Sequence, residues 1–543
     1  MCRSASSWLC ARIVLATTII VGLCGTERTS AQVGGRRDSS ADNAARSRAS
    51  TATDVDPFDA MEANVPGHPA ARLRAVIASE PSTAAKRDSA ANRIQRGREL
   101  FLHRWKTADV SNPMGDGLGP VFNGRSCAEC HSQSRPGGAG SNDFNVDLLS
   151  VVAPDIRNVE RKKFIERLAE IDAAFTADTK SARPNITLHR FGTDPAYAEW
   201  RSGVLDVVAK SQAAVPVAKQ QVEETDVNKR AMQFLRESHK SGTSSNVKPA
   251  AAAKGHPKPD RLQLILSQRS TPALFGAGLI DSISDDVMRA TAHAQADRHN
   301  TVKGQVAVTA GGRPGKFGWR GQTASLKEFV MGACANELGL QVPGHNQGID
   351  PLDPAYRAPG LDLTQEQCDD LAEFVASLPR PEQRQAKNSD ERDLFQAGEN
   401  VFERVGCANC HVRTLGTVEG LYSDLLLHDL GPKLADPSGA TPSFGPTRST
   451  GGYNGGSPDV FIEAPAITRR QWRTTPLWGV ADSAPYMHDG RAVTLEDAIN
   501  AHGGEAAASE RLYAALPSAE REKLLGFLSS LAAPQETSRV VQD

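Results

Sequence analysis

Two five-residue segments place two cysteines and a histidine at the same spacing, CAECH at residues 127–131 and CANCH at residues 407–411. At this spacing two thiols can add to the two vinyl groups of a haem while the next imidazole turns toward the iron. The residues predicted to hold two covalently bound haem c groups are Cys127, Cys130 and His131 in the first segment and Cys407, Cys410 and His411 in the second. A zinc site is the alternative for paired cysteines, but two motifs that both continue into histidine favour haem.

The two motifs lie inside an internal repeat, which indicates a duplicated domain. Three pairs of segments match in the same order: residues 97–101 with 398–402, 269–274 with 473–478, and 325–330 with 494–499. Apolar residues at helical spacing predict helices at 391–404 and 521–531. Aromatic and β-branched runs are few, which favours helices joined by turn-rich loops. We therefore predict a mainly α fold of two cytochrome c-type domains with long loops and insertions.

A chain of 543 residues exceeds a single hydrophobic core, so two or more domains are expected besides any tail and export segment. The predicted segments are a signal peptide at 1–31, a disordered lead-in at 32–89, an N-terminal haem domain with insertions at 90–379, a linker at 380–391, a C-terminal haem domain at 392–535 and a tail at 536–543. A polar stretch at 209–260 is interpreted as an insertion or mobile loop.

The first 31 residues are typical of a secretory signal, because a short apolar run at 13–25 follows Arg3 and Arg12 and precedes small residues. The run is shorter than the roughly 20 residues that cross a bilayer, so export with cleavage is favoured over a retained anchor. We expect the bacterial periplasm as the location, with membrane association only if this segment is retained or lipidated. A formal net charge of −2 without a sustained basic stripe argues against nucleic-acid partners.

Two further cysteines, Cys334 and Cys368, lie outside both the haem motifs and the export segment. In an oxidising compartment they could form a disulfide, which is the interpretation that we favour. The alternative is two unrelated buried thiols, because sequence spacing does not establish contact.

From about residue 90 to residue 535 the chain resembles the di-haem oxidoreductase, putative peroxidase, family, which is related to bacterial di-haem cytochrome c peroxidases. Besides the haem motifs, the segments that carry the resemblance are 116–123 (DGLGPVFN), 317–319 (FGW), 336–339 (NELG), 421–429 (LYSDLLLHD) and 484–491 (APYMHDGR). The resemblance implies two haems with different roles, one that relays electrons and one that does chemistry. It leaves open a calcium ion between the domains, as in relatives.

The resemblance also bears on the sixth iron ligand of the second haem. In the related peroxidases a methionine fourteen residues after the histidine of the His-Asp-Gly turn ligates the electron-transfer haem, and here His502 stands at that position. We therefore predict His411 and His502 as the axial pair, with Met487 as the second choice because its soft sulfur is close by in the sequence. His502 could instead be only a helix-end residue, and His488 is expected to fix its turn.

The same spacing in the first half puts Ala333 where His502 stands and Trp319 where His488 stands. Alanine cannot ligate iron, so the first haem is predicted to be five-coordinate or water-bound and open to peroxide or dioxygen. The alternative ligands, supplied by inserted loops, are His189 and His345.

Peroxide cleavage needs a group that moves a proton between the two oxygens, and relatives of the peroxidase type use a distal carboxylate. Glu337 and Glu328 are the candidates, although each could be an ordinary helix-surface acid. Trp319 could line the distal pocket, relay an electron between the haems, or be a core indole. The sequence thus predicts a haem oxidoreductase with peroxidase-like activity and a redox partner protein. The alternatives are a non-enzymatic electron-transfer cytochrome and a di-haem oxygenase acting on an organic substrate.

Overall fold

The computed structural model describes residues 89–109, 114–152, 166, 169, 171–176, 185–213, 263–309, 311–436 and 469–534. They belong to one compact unit, residues 86–543, while the other unit, residues 1–85, falls outside the described part. The predicted signal peptide, lead-in and tail lie outside the described residues, apart from residue 89, as does most of the polar stretch at 209–260. Within the described residues, no helix is both long and apolar enough to span a bilayer.

The described chain is mainly helical, as predicted. Up to residue 379 the helices are α1 (Ala90–Leu102), α2 (Cys127–Cys130), α3 (Tyr197–Ala213), α4 (Ala277–Ser282), α5 (Asp285–Arg298), α6 (Leu326–Glu337) and α7 (Gln365–Ser377). The later helices are α8 (Ser389–Arg404), α9 (Leu495–Ala501), α10 (Ala507–Ala514) and α11 (Ser518–Ser530). The helices predicted at 391–404 and 521–531 correspond to α8 and α11, which begin slightly earlier.

The strands of the described residues are short and pair in small antiparallel sheets. They are β1 (Val121–Phe122), β2 (Val146–Val152), β3 (Asn185–Thr187), β4 (Phe191–Gly192), β5 (Gln263–Arg269), β6 (Thr414–Leu415), β7 (Val418–Glu419), β8 (Leu427–Asp429) and β9 (Gln471–Arg473). The largest sheet has the order β3-β2-β5, with Leu149 paired to both Ile186 and Leu266. Its apolar side chains pack with α3 in a separate small core, so this part of the first half forms its own layer.

The first and last long helices of each half cross at a glycine. Helix α1 packs on α7 at Gly97, and α8 packs on α11 at Gly398. A Cβ added at Gly97 would lie 2.7 Å from the Cβ of Phe374, and one added at Gly398 would lie 2.6 Å from the Cβ of Phe527. Each glycine therefore allows two helix backbones to approach more closely than any larger residue would.

An aromatic pair lies beside each crossing. The rings of Phe101 and Phe374 have centroids 5.2 Å apart, and those of Phe402 and Phe527 are 5.5 Å apart. Tilted ring pairs of this kind add to the stability that area burial provides. Both halves thus share a glycine at the helix crossing and an aromatic pair beside it, at matched positions of the internal repeat.

The helices α6 and α9, which occupy matched positions in the repeat, begin in the same way. The Ser325 Oγ accepts a hydrogen bond from the backbone N–H of Glu328 at 3.4 Å, and the Thr494 Oγ1 accepts one from Asp497 at 3.0 Å. Such caps satisfy N–H groups that a helix leaves unpaired at its start. They fix where α6 and α9 begin, and hence where the residues at their far ends lie.

The two halves contact each other through matched segments. The backbone N–H of Ser270 donates to the carbonyl of His488 at 2.8 Å, and that of Arg473 donates to the carbonyl of Trp319 at 3.0 Å. Ser270 and Arg473 lie in the matched segments 269–274 and 473–478, while Trp319 and His488 are the matched turn residues. Each half therefore presents the same two segments to the other.

The cysteines outside the haem motifs both lie in the main hydrophobic core, Cys334 on α6 and Cys368 on α7. Both are free thiols, so the predicted disulfide between them is wrong. Burial raises the pKa of Cys368 to about 12 and that of Cys334 well above the usual thiol range. The physical reason is that sharing a core does not require the narrow Cα and Cβ separations of a disulfide, and a thiol packs well as a small apolar group.

Candidate haem sites

The second haem motif is a short turn that presents His411. Residues Cys407–Asn409 form a 3-10 turn, and the His411 N–H donates to the Cys407 carbonyl at 3.0 Å. The ring Nδ1 of His411 donates to the carbonyl of Tyr422 at 3.0 Å. This bond fixes the orientation of the imidazole and leaves Nε2 as the nitrogen available to a metal.

His502 stands directly after α9 and lies close to His411. Its Nδ1 donates to the carbonyl of Ala498 at 2.7 Å, which again leaves Nε2 available. The pKa of His411 is lowered to about 4, first by burial and next by the imidazole of His502. Burial also lowers the pKa of His502, which favours the neutral form that binds metals. His502 is therefore near enough to His411 to act on its pKa, and the axial pairing of the two residues stays a prediction.

Met487 and His488 belong to the turn before α9. Met487 has a positive φ of 73°, and its carbonyl accepts a hydrogen bond from the Ser270 Oγ at 2.9 Å. The His488 ring stacks on Trp472, with ring centroids 3.7 Å apart. Both residues therefore help to shape the contact between the halves. The pKa of His411 is lowered by the imidazole of His502, and His488 is not among the groups that shift it.

A further group lies beside Cys410. The Cys410 Sγ, an Asp424 oxygen and a His428 ring nitrogen lie within 4.8 Å of one another, a spacing able to hold a metal ion. The same sulfur is the predicted point of haem attachment, which would take it away from such a site. The two ring nitrogens of His428 are already bonded to the carboxylates of Asp424 and Glu505, at 2.9 and 2.8 Å.

The first haem motif forms the short helix α2, capped by Ser126. The Nδ1 of His131 donates to the carbonyl of Gly138 at 3.2 Å, so its Nε2 is also left available. Burial lowers the pKa of His131 to about 4, against the opposing effect of the Gly138 and Pro272 carbonyls. Within the part of the chain that the structure describes, no titratable side chain contributes to this shift. At the second motif, by contrast, the imidazole of His502 helps to lower the pKa of His411.

Glu337, the last residue of α6, lies beside the first motif. Its Oε2 accepts a hydrogen bond from the Asn123 amide and its Oε1 one from the Asn336 amide, both at 2.6 Å. Burial raises the pKa of this carboxyl, and the two amides oppose that effect. The pKa of Cys130 is raised to about 12 by burial first and by the Glu337 carboxylate next, which places that carboxylate near the haem-attachment residue.

The other two catalytic candidates lie elsewhere. Glu328 is in the first turn of α6, nine residues before Glu337, which corresponds to about 14 Å along a helix axis. The Glu328 carboxylate contributes to raising the pKa of Arg313, whose guanidinium donates a hydrogen bond to Asp285. The Trp319 indole N–H donates to the carbonyl of Ser270 at 3.0 Å, within the contact between the halves.

The alternative ligands of the first haem have other hydrogen-bond partners. The Nε2 of His189 bonds to the carbonyl of Asn336 at 2.9 Å, and burial lowers the pKa of His189 to about 4. The Nδ1 of His345 bonds to the carbonyl of Pro343 at 3.3 Å. Neither residue is among the groups that shift the pKa of His131.

Several residues of these sites were missed from the sequence. They are Asn123, Arg190, Asn336, Tyr422, His428 and Glu505. The Oδ1 of Asn123 accepts from the backbone N–H of Arg190 at 2.9 Å, so this amide joins Glu337 to the strand region around β4. Four of these residues lie within segments that carry the family resemblance, and that is the signal that could have identified them.

The residues at both motifs fit covalently attached haem. The four motif cysteines are half-buried thiols, whereas Cys334 and Cys368 are fully buried. Each proximal imidazole is oriented by a backbone carbonyl at Nδ1, which is the usual outer-shell arrangement of a metal-binding histidine. Accessible thiols and pre-oriented imidazoles are what the attachment chemistry needs.

Part of the chain is similar to a known protein family. Residues 450–531 match the family model described as di-haem oxidoreductase, putative peroxidase. The two haems in that description agree with the two cysteine pairs of the chain. No curated protein matches the chain.

Two solved structures share partial similarity with the chain. One is the hydrazine synthase of Kuenenia stuttgartiensis pressurized with xenon, with 18% identity, 49% of this chain and 72% of that chain covered, and a TM-score of 0.26. The other is a MauG-like protein associated with microbial copper homeostasis, with 16% identity, 48% of this chain and 89% of that chain covered, and a TM-score of 0.25. The resemblance to the di-haem oxidoreductase, putative peroxidase, family that the sequence predicts is confirmed by the family model over residues 450–531.

Proposed function

We propose that the chain is an exported di-haem c-type cytochrome with two cytochrome c-type domains. In this proposal peroxidase-like chemistry takes place at the N-terminal haem, and the C-terminal haem transfers electrons to it. Cys127 and Cys130 hold the first haem and Cys407 and Cys410 the second. A redox partner protein, in the bacterial periplasm if the N-terminal segment directs export, supplies the electrons.

The observation that carries the proposal is that the pKa values of the two proximal histidines, His411 and His131, are shifted by different groups. His411 is accompanied by the imidazole of His502, which lowers its pKa. No titratable side chain of the described residues has this effect on His131. A second imidazole supports a fully ligated iron, whose use is electron transfer, while a site without one supports access by a small substrate.

Glu337 supports the choice of peroxide as the substrate. Haem, when bound, supplies the iron at which peroxide is reduced. Cleavage of the oxygen–oxygen bond also needs a proton moved from one oxygen to the other, and a carboxylate can accept it and then return it. The Asn123 and Asn336 amides hold both oxygens of Glu337, so its carboxylate keeps one orientation. Burial raises its pKa, which brings proton uptake closer to neutral pH.

The experiment uses the haem-loaded, full-length protein. After reduction, carbon monoxide is titrated in and the absorption spectrum is followed, and peroxide consumption is then measured with a reduced small-molecule electron donor. We expect one carbon monoxide per chain in the rapid phase, together with peroxide turnover. No carbon monoxide binding and no turnover would instead indicate a plain electron carrier. Rapid binding without peroxide turnover, but with oxygen incorporated into an organic compound, would indicate an oxygenase.

A further inference from the structure

His428 lies between two carboxylates beside the second haem motif. Its Nε2 is 2.9 Å from the Asp424 Oδ2, and its Nδ1 is 2.8 Å from the Glu505 Oε2. His428 and Asp424 are buried, and Glu505 is half-buried. Two carboxylate oxygens can be satisfied by one imidazole only if both ring nitrogens donate.

The charges of the group agree with this geometry. Burial alone would lower the pKa of His428, but the hydrogen bond to Asp424 and the further bonds raise it well above the usual range. Burial raises the pKa of Glu505, but its hydrogen bonds to His428 and to the Lys303 and Asp429 N–H groups, together with the charge of His428, lower it overall. Charge-assisted hydrogen bonds of this kind are stronger than neutral ones.

Asp424 connects His428 to the loop that orients His411. The Asp424 N–H donates to the carbonyl of Cys410 at 2.9 Å, and the Asp424 Oδ1 accepts from the N–H of Leu426 at 2.9 Å. Two residues earlier, the Tyr422 carbonyl accepts from the His411 Nδ1. Asp424 is therefore fixed to the proximal side of the second haem site.

Glu505 ties the other side to the segment that carries His502. It lies three residues after His502, and its Oε1 accepts from the Asp429 N–H at 3.2 Å. Its Oε2 also accepts from the Lys303 N–H at 2.8 Å, which brings in a loop of the first half. A Cβ added at Gly504 would clash with the backbone of Asp429, so the segment lies directly against β8.

We propose that Asp424, His428 and Glu505, here named the carboxylate–imidazole bridge, hold His502 in position at the iron of the second haem. They do so by joining the segment after α9 to the loop that orients His411. The inference rests on the proposed function, because it takes His502 as an axial ligand. Asp424, His428 and Glu505 act as positioning residues, since none of them is proposed to bind the iron.

The test measures how fast carbon monoxide replaces His502. In the ferrous, haem-loaded protein, a rapid phase reports the first haem, and a slow phase reports the second, limited by dissociation of His502. We expect Glu505→Gln and Asp424→Asn to accelerate the slow phase about tenfold, since each weakens a hydrogen bond between charged groups. The matched control is Glu510→Gln on α10, which should leave the slow phase unchanged.

His502→Ala separates failure of the inference from failure of the proposed function. If His502 is the ligand, this variant loses the slow phase altogether. Unchanged slow phases in Glu505→Gln and Asp424→Asn, beside a lost slow phase in His502→Ala, would overturn the bridge while leaving the ligand intact. A slow phase that survives in His502→Ala would overturn both. The ferric absorption spectrum of each variant checks that it is folded and carries both haems.

Discussion

The imidazole of His502 lies near enough to that of His411 to lower its pKa, whereas no titratable side chain among the described residues acts on His131 in this way. Both proximal rings are oriented alike, by a carbonyl at Nδ1, so the orientation of the ring is not what distinguishes the two sites. One half of the repeat places a histidine after its α9 helix, and the other half has Ala333 inside α6 at that position. The duplicated scaffold thus supports two different sites.

Replacing His502 by alanine should convert one haem from low-spin to high-spin, because the iron loses its second strong-field ligand. Absorption and electron paramagnetic resonance spectra of the ferric protein measure the change. Met487→Leu is the control, and it should leave the low-spin signal intact. A low-spin signal that persists in His502→Ala and disappears in Met487→Leu would transfer the ligand role to Met487.

Replacing Glu337 by glutamine should lower kcat for peroxide about a hundredfold or more, because an amide cannot move the proton between the oxygens. The side chain keeps its size, and its one amide oxygen can accept a hydrogen bond from Asn123 or from Asn336, but not from both at once. Glu328→Gln, at the other end of α6, should retain full activity. Steady-state peroxide consumption measures both variants, and equal losses in the two would contradict a specific role for Glu337.

Replacing Gly398 by alanine should destabilise the protein by about 1–3 kcal/mol, because the new Cβ would lie 2.6 Å from the Cβ of Phe527 and force α8 away from α11. Gly203→Ala on α3 is the matched control, since its Cβ would meet nothing within 4 Å. That variant should gain roughly 0.5–1 kcal/mol from its higher helix propensity. Urea unfolding of the haem-loaded proteins gives both free energies. Destabilisation of equal size in both would show that the crossing is not the cause.

Asp172 should make stability fall between about pH 4 and pH 7. Burial raises the pKa of this carboxyl to about 7 in the folded protein, against the bond that it accepts from the Ala174 N–H. In the unfolded chain the same carboxyl ionises near pH 4, so between these values the folded state holds a proton that the unfolded state releases. Raising the pH therefore favours unfolding, by up to about 4 kcal/mol at pH 7 and above.

Asp172→Asn removes this titration and isolates its contribution. The variant should match the wild type below about pH 4 and exceed it in unfolding free energy at pH 8. Chemical unfolding at several pH values measures the difference. A variant whose free energy runs parallel to that of the wild type over the whole range would refute the assignment.

The internal repeat was predictable because each feature that defines it depends on residues that are close together in the sequence. A glycine four residues before a phenylalanine recurs at 97–101 and 398–402, and a capping hydroxyl recurs at Ser325 and Thr494. Helix starts, close crossings and haem turns each depend on a few residues near in sequence. The boundaries that the sequence predicts for the two haem domains remain predictions.

The sites were less predictable because their partners come from distant segments. Glu337 and Glu328 lie on opposite faces of α6, but the sequence alone does not tell which face lies beside the first haem motif; the contact with Asn123 distinguishes them. His428 and Glu505 are 77 positions apart, and neither has a local pattern that indicates the other. The disulfide prediction failed for the same reason, since Cys334 and Cys368 share a core without a bond.

Electron paramagnetic resonance of the ferric, haem-loaded wild type measures whether the two irons differ in ligation. We expect one low-spin and one high-spin signal, in equal amounts per chain. Two low-spin signals, or two high-spin signals, would contradict it.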